Sequence, residues 1–174
     1  CPSDSVLAYN LADYSVQTSS TTYIRFDRET LPVINSLDQK IDEGLSVLSK
    51  GNDYCLISTG NMTHTAVKVS ERLKKDSINI KIIDIYRLKP INSKKLFSEL
   101  KDYKMIFTIE EHTINGGLGS IISEFILDND LNIKLKRFAV KDGDLYNYGE
   151  RHLLQKYNKI DADSLYNQIV NYIN

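Results

Sequence analysis

From Gly44 onward, short apolar runs of strand character alternate with amphipathic stretches of helical character, and few folds accept that pattern. The strand-like runs cover residues 45–48, 54–59, 78–86, 105–109 and 133–140. The helix-like runs cover 63–75, 93–100, 118–127 and 163–173. In the first helical run, Ala66, Val67, Val69 and Leu73 form an apolar stripe. Strands alternating with helices predict an α/β fold, a largely parallel sheet with helices on both faces. The first two strands are joined only by Ser49-Lys50-Gly51-Asn52-Asp53. That link is too short for a crossover helix, so this pair is antiparallel or non-adjacent.

The chain before Gly44 has a different character. Pro2, Ser3 and Asp4 are helix-start chemistry, and a helix is predicted over roughly 4–16 with Val6, Leu7, Leu11 and Tyr14 on one face. Residues 21–26 alternate as a strand through Tyr23, Ile24 and Phe26. One helix and one strand cannot bury a sheet face alone. Residues 1–33 are therefore expected to be the tail of a domain whose body lies outside this sequence. Residues 34–43 read as a linker, and 44–174 as a second domain.

Composition narrows the function classes. A net charge of −1 over 174 residues gives no electrostatic case for nucleic acid or an anionic membrane as partner. No apolar run approaches the roughly 18–20 residues that span a bilayer. Two cysteines, Cys1 and Cys55, make no disulfide framework, and a reducing cytoplasm is the expected location. The three histidines, His64, His112 and His152, are far apart and lack metal-ligand spacing, so no metal site is expected.

Three places carry chemistry-bearing residues. The run 105–109 ends in Glu110, Glu111 and His112, then Gly116, Gly117 and Gly119 lead into a helix. Open α/β sheets place ligands at such carboxyl ends of strands. Glu111 with His112 suits acid–base work, or equally a hydrogen-bonded tip packed against a neighbouring domain or subunit. The glycine cluster lacks the third glycine of a dinucleotide fingerprint, position 122 being Ile, and lacks the Gly-Lys-Ser/Thr of a phosphate loop. A second glycine turn, Ser58-Thr59-Gly60-Asn61-Met62-Thr63, has the same form and reads as architecture. Finally, Arg25 and Arg28 follow the predicted strand of the first segment. An arginine there suits bidentate phosphate binding, or a salt bridge to Asp27, Glu29 or Asp13.

Taken together, these motifs resemble a known family. Pro2-Ser3-Asp4, Tyr23-Ile24-Arg25, Asp27-Arg28 and Leu31-Pro32 look like the end of the pyrimidine-binding domain of transketolase-superfamily enzymes, which depend on thiamine diphosphate. Gly51-Asn52-Asp53 with Ile57 to Gly60, Ile82 to Asp84 with Leu88-Lys89-Pro90, Thr108 to His112 with Gly116 to Ser120, and Phe138 to Asp142 with Tyr148-Gly149, Leu153-Leu154 and Tyr157 resemble that superfamily's C-terminal domain. The resemblance runs along essentially the whole chain.

The resemblance implies a three-layer α/β/α domain whose five-stranded mixed sheet has one antiparallel strand. It implies a transferase moving a two-carbon ketol unit between sugar phosphates, with thiamine diphosphate and magnesium bound elsewhere in the complete enzyme. Neither the diphosphate motif nor the pyrimidine-activating Glu occurs here, so this section by itself is expected to be inactive. Arg28 matches the family arginine that grips the sugar phosphate. The expected partner is a second copy or a subunit carrying the diphosphate-binding domain. The family's C-terminal domain carries no known catalytic residue, which favours an interface role for Glu111 and His112. Deoxyxylulose-phosphate synthase is the near alternative, although Pro-Arg-Gly usually stands there in place of Asp27-Arg28-Glu29. The β subunits of 2-oxo acid dehydrogenases are a third member, and a non-catalytic dimerisation module is the alternative of another class.

Overall fold

A computed structural model describes residues 1–143 and 147–173. Five strands form one sheet in the order β1-β3-β2-β4-β5. They are β1 Leu45–Ser49, β2 Tyr54–Ser58, β3 Ile80–Ile85, β4 Met105–Thr113 and β5 Lys134–Val140. All neighbouring pairs are parallel except β1 with β3. The short link between β1 and β2 is resolved by separation: β3 lies between them and pairs with β1 antiparallel.

Period-two alternation divides the core between the two faces. Leu56, Ile82, Phe107 and Ile109 face α2 (Met62–Lys75) and α6 (Ala162–Ile173), meeting Ala66, Val69, Leu73, Leu165 and Ile169. Cys55, Ile57, Ile83 and Ile106 face α3 (Ser93–Leu100) and α4 (Leu118–Asp128), meeting Leu96, Leu100, Ile122 and Phe125. The sheet is thus covered on both sides, the α/β/α arrangement expected.

The first segment begins with α1, Ser5–Gln17, whose N-cap Asp4 accepts a hydrogen bond from the Leu7 amide at 2.9 Å. Leu7 and Leu11 pack on Tyr86 just beyond β3, with Ile24 and Ile41 at the edge of the cluster. The other Asp4 oxygen accepts from the amides of Ile34 and Asn35 at 2.8 and 2.7 Å. One buried carboxylate therefore caps α1 and pins the start of the expected linker. Burial alone would raise its pKa, but these amides outweigh burial and hold it below the usual carboxylate value.

The sequence-based expectations need three corrections. The expected strand at 21–26 is irregular, because among the described residues no neighbouring strand offers it a ladder. Strand β4 does not stop at Ile109; it runs through Glu110, Glu111 and His112 to Thr113, with an irregular register against β5. A helix not anticipated, α5, covers Arg151–Tyr157.

Candidate functional site

Alternation along β4 gives its three polar tip residues three different fates. Glu110 points to the α4 side, where its Oε2 accepts from the Leu118 amide at 2.7 Å and its Oε1 from the Gly119 amide at 2.8 Å. These are first-turn amides of α4, which have no partner within the helix. The N-cap residue Gly117 has no side chain to serve them, and a Cβ there would lie 1.9 Å from Glu110 Oε2. Glu110, 2% exposed, is thus a helix cap delivered from a strand.

Glu111 points to the opposite side and meets α5. Its carboxylate accepts from Arg151 Nε at 2.8 and 2.9 Å, from Arg151 Nη2 at 2.5 Å and from Gln155 Nε2 at 2.6 Å. Arg151 turns its other edge to Asp27, donating from Nη1 to Oδ1 at 2.8 Å and from Nη2 to Oδ2 at 2.7 Å. Glu29 stands 3.5 Å from Nη1. One guanidinium therefore joins three carboxylates from two parts of the chain in a doubly bidentate arrangement. Hydrogen bonds from Arg151 hold the Asp27 carboxyl below the usual value, and Glu111 and Asp27 push the Arg151 pKa further up.

His112 is exposed, and its Nδ1 approaches only its neighbour, Thr113, at 3.2 Å to the carbonyl oxygen and 3.3 Å to Oγ1. No hydrogen bond joins it to Glu110 or Glu111 among the described residues. The three tip residues are therefore not brought together as an acid–base group: one caps, one pairs with arginine and one faces solvent.

Arg28 is exposed beside the Arg151 cluster. It lines a cleft of about 700 Å³ together with Asp27, Glu111, Arg151, Leu154 and Tyr157. It also borders a wider depression of about 1150 Å³ that includes Arg25, Tyr86 and His112. Among the described residues Arg28 makes no salt bridge; the carboxylate beside it, Asp27, is bonded to Arg151 instead.

A second buried group lies near the wider depression. Asp84, at the end of β3, is fully buried and accepts from Ser3 Oγ at 2.5 Å and Thr63 Oγ1 at 3.0 Å. Burial pushes its carboxyl up to about 7. His64, on the first turn of α2, lies with Nε2 2.6 Å from the Ser3 carbonyl oxygen, so the first segment is tied both to β3 and to α2.

Sequence reasoning missed Arg151. The signal available was weak: an arginine next to Glu150 in a polar stretch, with no periodic apolar run to announce α5. Its partners lie 40 and 124 residues away.

Comparison with known proteins agrees with this architecture. The family described as "Transketolase, C-terminal domain" matches residues 44–165. A subunit of the apulose-4-phosphate transketolase of Actinobacillus succinogenes is 33% identical over 156 residues, covering 89% of this chain and 50% of that protein. A putative transketolase C-terminal section of Methanocaldococcus jannaschii is 29% identical over 173 residues, covering 97% of this chain and 53% of that protein. The chain thus spans about half the length of these relatives. In structure, a split-gene transketolase described as an inactive beta4 tetramer superposes with a TM-score of 0.88 at 24% identity, over 98% of this chain and 55% of that one, a likeness of fold. With its five-stranded sheet and a match across residues 44–165, the chain belongs to the transketolase C-terminal domain family.

Proposed function

We propose that this chain is the C-terminal section of a transketolase-like enzyme that depends on thiamine diphosphate and magnesium and moves a two-carbon ketol unit between sugar phosphates. Its domains would be the tail of a pyrimidine-binding domain (1–33), a linker (34–43) and the C-terminal domain (44–174). A cytoplasmic location belongs to the same reading; no helix among the described residues is long and apolar enough to cross a membrane.

The observation that carries this reading is the state of Arg28. It is an exposed guanidinium at the rim of a cleft, free of carboxylate partners among the described residues, and its acidic neighbours are already bonded to Arg151. A planar fork of N–H donors in that state suits the phosphate at the far end of a sugar substrate. Binding energy from such a remote group serves to orient the reacting end. Glu111 and His112 are assigned to contacts, between domains or subunits, and no catalytic step is given to them.

In this reading the cofactor is held outside the described residues. No group of three His, Cys, Asp or Glu side chains there suits a metal ion. The one dense acidic spot, Asp27 with Glu29 and Glu111, is taken up by Arg151. Thiamine diphosphate and its magnesium would be held by the rest of the enzyme, where the cofactor supplies carbanion stabilisation. Either a longer chain or a partner subunit would contribute that part. The partner is supported by the Actinobacillus relative, which is named as one subunit of a transketolase.

The test is ketol transfer between a ketose phosphate and an aldose phosphate, with thiamine diphosphate and magnesium present. The complete protein, or this chain with its partner subunit, is expected to turn over, and the isolated chain is not. Turnover by the isolated chain would overturn this division of labour. Absence of transfer by the complete protein across sugar phosphates would overturn the activity.

A further inference from the structure

The stretch that carries Arg28 is loosely held. Among the described residues, the hydrogen bonds joining residues 19–33 to the rest of the chain are those between Asp27 and Arg151, beside a local one from the Ser20 amide to Thr18 Oγ1. Ile24 adds an apolar contact at the edge of the cluster of Leu7, Leu11 and Tyr86. Arg151 is itself anchored to the sheet through Glu111, and Gln155 on the same helix holds that carboxylate from a second direction.

All three guanidinium nitrogens of Arg151 are engaged with carboxylates. It has no donor fork left for an incoming phosphate. What it does is hold Asp27 and Glu111 in bonds of their own, with Glu29 at 3.5 Å, and its single charge offsets part of the negative charge beside Arg28. Without it, Asp27 and Glu111 would be free to compete with phosphate for Arg28, and repulsion of the arriving anion would rise by one charge.

We infer that Arg151 is a positioning residue for substrate phosphate: it clamps Asp27 to Glu111, fixes the stretch that presents Arg28, and keeps Arg28 free of acidic partners. This rests on Arg28 being the phosphate ligand. Helix α5, which the sequence pattern did not announce, thereby links the C-terminal domain to substrate selection.

The test is a double-mutant cycle in the complete, cofactor-loaded enzyme. The quantity read is the ratio of kcat/KM for a ketose phosphate to that for the same ketose without phosphate. Arg28→Ala is expected to lower this ratio at least about tenfold, the loss of a charge-assisted phosphate contact. Arg151→Met, close in volume and without donors, is expected to lower it about fivefold or more, mainly through KM for the phosphorylated substrate. The double variant should resemble Arg28→Ala alone, because Arg151 acts through Arg28. Asp27→Asn weakens the same tie to one neutral acceptor while leaving Arg151 on Glu111; it also removes a carboxylate beside Arg28, so the selective loss expected here reads the fixing of the stretch, even where Arg151→Met folds poorly. If Arg28→Ala leaves the ratio unchanged, the phosphate assignment falls and this inference with it. If Arg28→Ala lowers the ratio while Arg151→Met and Asp27→Asn do not, or the losses multiply in the double variant, positioning by Arg151 is refuted and the phosphate assignment stands.

Discussion

The cap on α4 offers a sharp test of how the strand tip is built. Glu110 is buried and receives two helix amides at 2.7 and 2.8 Å. A hydrogen bond to a charged group contributes about 1.5–3 kcal/mol, and a buried donor left unpaired costs about 1–3 kcal/mol. In Glu110→Gln the carbonyl oxygen retains one amide, while the new NH2 group faces the other and cannot accept. The negative charge at the helix N-terminus is lost as well. Together these put the cost at about 2–4 kcal/mol, or roughly 5–15 °C in Tm for a chain of this size. Urea unfolding followed by circular dichroism measures it, with an unchanged denaturant slope as the sign that stability alone has moved. Gly117→Ala attacks the same bonds from the other side, since its Cβ would lie 1.9 Å from Glu110 Oε2. The two substitutions should therefore be less than additive. A Glu110→Gln cost below about 0.5 kcal/mol, the range of ordinary surface changes, or strict additivity with Gly117→Ala, would refute the cap.

Two further outcomes follow from buried groups. The Asp84 carboxyl is raised by burial to about 7, so the folded state holds its proton more tightly than the unfolded chain. Its contribution is fully present below about pH 4 and is lost as pH rises toward 7. Subtracting the unfolding free energy of Asp84→Asn from that of the parent should give a difference that declines over this window; a flat or rising difference would count against it. Burial also pushes the Cys55 thiol up, whereas Cys1 is partly exposed. A thiol reagent should therefore modify Cys1 first and reach Cys55 only on unfolding, and rapid double labelling of the native chain would contradict its burial.

The sheet was legible in the sequence because each strand is a short apolar run and most helices carry an apolar stripe. Ala66, Val69 and Leu73 on α2, for instance, meet Leu56 and Phe107 where periodicity predicts. The short link between β1 and β2 left antiparallel pairing or separation open, and the sheet takes the second, with β3 between them. The strand expected at 21–26 failed because alternation reports a tendency, while a strand requires a hydrogen-bonding neighbour. The tip of β4 misled for a related reason. Glu110, Glu111 and His112 are adjacent in sequence, but the pleat sends successive side chains to opposite faces, so adjacency did not make a cluster. Arg151 escaped because α5 has no buried residue and its partners are remote in sequence.

The role of Arg28 is tested most directly by the substrate preference of Arg28→Ala in the complete enzyme. Preference for a ketose phosphate over the unphosphorylated ketose is expected to fall by about 10- to 100-fold, the equivalent of about 1.5–3 kcal/mol for a charge-assisted contact. A preference within twofold of the parent enzyme would contradict it.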